Sequence, residues 1–132
     1  VNHCKAMFVG LATLLVMLGT SAMADDIKLL KAFRVVESSN NYQAIGDNGK
    51  SWGAYQFHAA RWHEVSKASY RHATNAEQDE AMVKEISIGL RIAHQRGIDP
   101  VSAVASLHHA GHVTLDDVVY IAKIKKALGE KI

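Results

Sequence analysis

The sequence predicts a mainly helical domain of the α+β kind, with about five helices and a small irregular β-hairpin or loop after the first. Three observations carry this. Apolar residues make up 48% of the 132 residues and proline occurs once, so a core can form and few positions break a helix. Apolar residues recur at helical spacing in five segments, several of them opened by capping residues or closed by glycine. One stretch breaks that rhythm: Gly46-Asp47-Asn48-Gly49 is a strong turn signal, flanked by Tyr42 to Ile45 and Ser51 to Tyr55 as short strands.

The first segment stands apart from the fold. Lys5 supplies a positive charge, Ala6 to Gly19 is an apolar run, and Ala22-Met23-Ala24 is a small-residue cleavage site before Asp25-Asp26. Residues 1–24 therefore predict a secretory signal peptide, and residues 25–132 a single exported domain, periplasmic or secreted. An uncleaved membrane anchor is the competing reading, since Ala6 to Ala24 is almost long enough to span a bilayer. Cys4, the only cysteine, leaves with the signal, so the exported domain is expected to rely on its core rather than on disulfides.

Ile27 to Glu37 reads as the first helix, with Leu29, Phe33 and Val36 on its apolar stripe. Phe57 to Ser69 reads as a second, with Ala59, Ala60, Trp62 and Val65 inward. Thr74-Asn-Ala-Glu77 is a capping box that opens a long helix to about Arg96, closed by Gly97. Its apolar face is Met82, Val83, Ile86, Leu90 and Ala93, and Gly89 within it predicts close packing. Asp99-Pro100 opens the next helix as N-cap and first residue, burying Val101, Val104, Ala105 and His108. Thr114-Leu-Asp-Asp117 is a further capping signal for a last helix to about Leu128.

Two carboxylates draw the eye. Glu37 follows Phe33 by four residues, which puts it beside the buried stripe in the last turn of its helix. Burial and the negative end of the helix dipole both favour the protonated form, as a general acid requires. A surface glutamate at a frayed helix end fits the same pattern. Asp47 is either a turn-forming aspartate or a second carboxylate beside Glu37. A retaining hydrolase needs the second carboxylate about 5–5.5 Å away and an inverting one about 6.5–9.5 Å away.

Glu37-Ser38, then Ser51-x-Gly53-x-x-Gln56, then Ala110-Gly111, then Tyr120-Ile121 resembles the soluble lytic transglycosylase and goose-type lysozyme superfamily, over nearly all of residues 25–132 and in the same order. Gly53-Ala-Tyr-Gln-Phe-His-x-x-x-Trp62 is also similar to a stretch of invertebrate-type lysozymes. The resemblance implies a lysozyme-like fold with a cleft that cleaves the muramic acid to glucosamine link of peptidoglycan. Glu37 would be the acid and then the base, taking the proton of the sugar's 6-hydroxyl as a 1,6-anhydro ring closes. The resemblance places Ser51 beside the glutamate and the sugar, Gly53 and Gln56 along the cleft, and Tyr120 near the carboxylate. Tyr55 would face a sugar ring, and His109, which stands at the family's asparagine, would contact substrate as a donor. His108-His109 departs from the family's Tyr-Asn, and Asp116-Asp117 from its Glu-Thr.

No cofactor is expected. His108 and His112 are four apart, but Gly111 ends the helix between them and no glutamate completes a helical zinc motif. His58 and His63 read as surface or cleft-edge residues. Trp52 and Trp62 are candidates to stack on sugars, Trp62 equally a core residue. A net charge of +2 gives no case for nucleic acid. The expected partner is the peptidoglycan glycan strand, cleaved by a monomer, with cell-wall or secretion machinery as a possible recruiter. Hydrolysis by Glu37 and Asp47 is one alternative, and a weakly active glycan-binding or assembly protein is the other.

Overall fold

The computed structural model describes residues 25–130. The signal-peptide reading of residues 1–24 and Cys4 lie outside them. The first helix, α1, covers residues 25–38. Leu29, Ala32 and Phe33 are buried on its inner face. Ser39 and Asn40 end it in left-handed conformation, with φ of 53° and 68°. Their N–H groups donate back to the carbonyls of Val35 (3.1 Å) and Arg34 (3.0 Å). Arg34 Nε donates to Asn40 Oδ1 at 2.8 Å, which secures a conformation that asparagine tolerates. The helix therefore stops at Ser38, one residue after Glu37.

A three-stranded antiparallel sheet follows: β1 (Ile45–Gly46), β2 (Ser51–Trp52) and β3 (Phe57–His58), in that order. Ile45 faces Trp52, and Trp52 in turn faces Phe57. Asp47, Asn48 and Gly49 turn the chain between β1 and β2, all at positive φ. The strands are shorter than expected, and the third was expected as helix. Gly53 is the reason. At φ 88° it turns the chain away after Trp52, and its N–H donates to the Ala44 carbonyl at 2.8 Å. A side chain there would strike Gln78, whose Oε1 lies 2.5 Å from the Cβ position. The turn returns Phe57 to pair with Trp52, so helix α2 runs only over Ala59–Val65. Trp62 and Val65 are buried as expected, whereas Ala59 and Ala60 are exposed because α2 lies along a rim.

Helix α3 (Asn75–Arg96) carries the capping box in full: Glu77 N–H donates to Thr74 Oγ1 at 3.1 Å, and Thr74 N–H donates to Glu77 Oε1 at 2.9 Å. Gly97 closes it at φ 65°. Val83, expected inward, is 41% exposed. Helix α4 (Pro100–Ala110) starts at the Asp99 cap, whose carboxylate accepts from Ser102 N–H (2.9 Å) and Oγ (2.7 Å). Helix α5 (Val118–Ala127) begins later than the Thr114 signal implied. Asp117 is its N-cap by position but makes no side-chain cap bond, because its carboxylate is engaged by His109 at 2.6 Å.

The core lies where α1, α3, α4, α5 and the sheet meet, around Phe33, Tyr55, Trp62, Met82, Ile86, Val104 and Ile124. Gln78 is buried there without loss: its Oε1 accepts from Ala54 N–H, and its Nε2 donates to the carbonyls of Tyr42 and Ala73. No helix among the described residues is long and apolar enough to cross a membrane.

The packing of α3 on α4 depends on Gly89. A Cβ there would lie 2.7 Å from Val104 Cγ2 and 2.8 Å from the Val104 Cα. Alanine gains about 1 kcal/mol of helix propensity. Separating two backbones costs about 1–3 kcal/mol and more where no side chain can yield. Gly89→Ala is therefore expected to destabilise the protein by about 1–2 kcal/mol, read from the urea midpoint at unchanged slope.

Candidate active site

The C-terminal turn of α1, the sheet, α2 and the end of α4 enclose a cleft of about 810 Å³. Of the residues expected at a site, Glu37, Asp47, Ser51, Gln56 and His109 line it. Glu37 is half-buried and comes from the last turn of α1, as its spacing from Phe33 required. Ser51 is buried, 4% exposed, on the sheet wall. Gln56 stands at φ 52°, and its Nε2 donates to the carbonyls of Gly53 (2.9 Å) and Ala44 (3.2 Å). Its first task is thus to lock the two turns of the sheet together. Its Oε1 lies 2.1 Å from where a Cβ on Gly46 would be, so position 46 must be glycine for this lock to close.

Three expected residues lie elsewhere. Gly53 is buried against Gln78 rather than opening toward a ligand. Tyr55 is 1% exposed, and its ring does not face the cleft. Its hydroxyl donates to Asp79 at 2.6 Å and accepts from Arg34 at 3.0 Å. Burial and then the Asp79 bond push its phenol far up from the ordinary value. Tyr42 donates to the same Asp79 oxygen at 2.8 Å, so this aspartate ties α1, the sheet loop and α3 together. Tyr120 does not line the cleft but stands behind it, 7% exposed. Its phenol is pushed far up, first by burial and then by the nearby Glu37 carboxylate. Glu37 acts on this hydroxyl both through its charge and as a hydrogen-bond acceptor, although no bond of standard geometry forms between them. Among the described residues, the Tyr120 hydroxyl is the one buried side-chain polar atom without a partner.

Each lip of the cleft carries a histidine on an aspartate. His58 Nε2 lies 3.1 Å from Asp47 Oδ2, across the turn between β1 and β2. His109 Nδ1 donates to Asp117 Oδ2 at 2.6 Å, and its ring stacks on Tyr120 with centroids 4.2 Å apart. Nε2 is left as the polar atom His109 can offer a ligand. His112 lies exposed past the Gly111 cap, whereas His108 turns inward, so the two share no face. Neither tryptophan lines the cleft: Trp52 packs edge-on against Tyr70, and Trp62 donates to the Ala68 carbonyl at 2.8 Å.

The sequence reading missed the floor of the cleft. Glu85, wholly buried on α3, is gripped by Arg61 of α2 through Nε (2.8 Å) and Nη2 (2.5 Å). His108 of α4 lies on the other side, with Nδ1 3.4 Å from Glu85 and Nε2 donating to the Tyr55 carbonyl at 2.6 Å. The ring of His108 is held edge-on by Phe33 and Phe57. Burial works against the charge on Glu85, but His108 and Arg61 outweigh it and hold the carboxyl below its ordinary value. Burial likewise opposes a charged His108, and the carboxylates of Glu85 and Glu37 overcome it and hold the imidazole up. A signal for Glu85 was available: it lies three after Met82 and four before Gly89, so it shares the apolar face of α3, where a charge needs a partner.

Comparison with known proteins gave no match: no family model, no characterised protein and no solved structure corresponds to this chain. The site stands on its own geometry.

The Glu85–His108 pair sets a pH dependence of stability. Glu85 titrates below its ordinary 4.5, so its charge stabilises the fold above that pH and the contribution is lost as pH falls further. His108 titrates above its ordinary 6.5, so its proton stabilises the fold below that pH and the contribution is lost as pH rises through the folded value. Urea midpoints are expected to be highest between these limits and to fall on both sides. In His108→Gln the alkaline fall should disappear.

Proposed function

We propose that this protein cleaves the β-1,4 link between muramic acid and glucosamine in peptidoglycan glycan strands, with Glu37 as the catalytic residue. The observation that carries the reading is Glu37 itself. It is a half-buried carboxylate at a helix end, on the wall of a cleft, and the unpartnered hydroxyl of buried Tyr120 faces it. A buried donor left without a partner costs about 1–3 kcal/mol. Glu37 is the acceptor within reach of that hydroxyl, so Tyr120 suits a role in orienting the catalytic carboxylate.

In this reading Glu37 protonates the glycosidic oxygen as the bond to the muramic acid C1 breaks. The resulting carboxylate then takes the proton from the 6-hydroxyl of the same sugar, whose oxygen closes on C1. The product is a 1,6-anhydro ring, and no second carboxylate or water is consumed. Ser51 on the sheet wall and His109 Nε2 on the α4 lip are positioned to hold sugar hydroxyls in place. The wall-strand substrate, the export of the protein and any recruiting machinery belong to the same proposal.

A hydrolytic muramidase is the second reading, favoured by Asp47, which lines the same cleft and is held by His58. There the carboxylate would serve as nucleophile or as base for a water. The left-handed turn at Asp47, Asn48 and Gly49 gives this aspartate a structural role independent of chemistry.

Two variants separate the readings. Glu37→Gln is expected to lower release of soluble fragments from purified peptidoglycan by about 10²- to 10⁴-fold, with binding to the insoluble wall retained. Asp47→Asn is expected to keep activity within about tenfold of the parent, a barrier change near 1.4 kcal/mol. A loss as deep as that of Glu37→Gln would transfer the assignment to the hydrolase. Wall binding by the parent with no fragment release would make it a glycan-binding protein.

A further inference from the structure

The glycan-cleaving reading accounts for the groups that line the cleft and leaves a buried chain of charges beneath it unexplained. Arg61, Glu85 and His108 come from three different helices, and Glu85 is wholly buried. The His108 side chain is 2% exposed.

The contacts of His108 favour one protonation state. A carbonyl oxygen can only accept, so the 2.6 Å contact with Tyr55 requires a hydrogen on Nε2. Nδ1 faces a Glu85 oxygen at 3.4 Å. A neutral ring would aim its lone pair at that carboxylate, whereas a hydrogen there makes the contact attractive. A hydrogen on both nitrogens satisfies both contacts at once, and with the side chain 2% exposed neither nitrogen is left free for a substrate. Held in this way His108 is no acid or base toward a sugar, yet it lines the same cleft as Glu37 and packs edge-on against Phe33, one helical turn before Glu37 on α1.

We propose that Glu85 and Arg61 act on Glu37 through His108: they are positioning residues that hold an imidazolium beside the catalytic carboxylate. The inference rests on the glycan-cleaving reading of Glu37. The charges alternate along the chain: Arg61 positive, Glu85 negative, His108 positive, Glu37 negative once it has given up its proton. The imidazolium stabilises the carboxylate that Glu37 becomes as the glycosidic bond breaks, where charge develops in the reaction. The groups facing His108 are Glu37 from α1, Glu85 from α3, the Tyr55 carbonyl, and the edges of Phe33 and Phe57. Arg61 pairs with Glu85, and the Tyr120 hydroxyl lies near Glu37, Asp117 and Glu85. Neutralising His108 would remove the positive charge it brings to the cleft wall.

The test compares the parent with Glu85→Gln and with the double variant Arg61→Met, Glu85→Met. The second exchanges the ion pair for apolar groups of similar length, a change that buried pairs often tolerate. The first readout is independent of activity: the ¹⁵N resonances of the His108 ring across pH. The parent should show an imidazolium at pH 7, and both variants a neutral ring protonated on Nε2. The second is the pH–rate profile on peptidoglycan. Both variants should lose at least about tenfold in kcat, with KM little changed, and their pH–rate profile should differ from the parent's. A neutral His108 in the parent overturns the inference whatever the activity. Variants that neutralise His108 but keep the parent's kcat and profile also overturn it. A parent that carries the imidazolium but cleaves no glycan refutes the functional reading instead.

Discussion

A carboxylate without solvent cannot stay charged unless cations come to it, and Glu85 is such a carboxylate. Satisfying it draws Arg61 from α2 and His108 from α4 onto α3, with the His108 ring passing the connection on to the Tyr55 carbonyl in the sheet. Leaving any one of these charges unpaired would cost several kcal/mol, so the three helices and the sheet turn are held at a common point. That point is the floor of the cleft. The burial of Glu85 and His108 makes the network specific, because solvent does not reach either of them to replace a missing partner.

The sheet depends on backbone constraints of another kind. Gly53 at φ 88° and Gln56 at φ 52° fold the chain back so that Phe57 pairs with Trp52. The Gln56 amide then clamps both turns, while Asp79 collects the hydroxyls of Tyr42 and Tyr55 on the far side. These bonds hold Ser51 and Asp47 on one wall while α1 fixes Glu37 by the Ser39–Asn40 stop. The cleft is thus assembled from polar locks around a modest apolar core, among described residues that include no cysteine.

Local signals were legible in the sequence where they act through the backbone. The Thr74 box, the Asp99-Pro100 start, the Gly97 stop and the close approach at Gly89 all depend on a few adjacent residues, and each is realised. Glu37 was legible because helical spacing ties it to Phe33. The third strand was not, since its pairing of Phe57 with Trp52 depends on a turn that also resembles the start of a helix. Tyr55 and Gly53 looked like cleft residues because position in a motif says nothing about which face is turned inward. The Glu85 network joins residues 24 and 23 positions apart, and no local rule connects them. Only the misplaced charge on the apolar stripe of α3 hinted at it.

The functional reading brings these pieces to one carboxylate: Glu37, with the buried Tyr120 phenol near it and the buried His108 ring in the same cleft lining. Such surroundings suit a group that must give up a proton and take one back within the same turnover. The most direct test is the chemical identity of the ends released from purified peptidoglycan, read by mass spectrometry. The account predicts muramic acid closed as a 1,6-anhydro ring, absent when Glu37 is replaced by glutamine. Release of ordinary reducing ends, or no release at all from the parent, would contradict it.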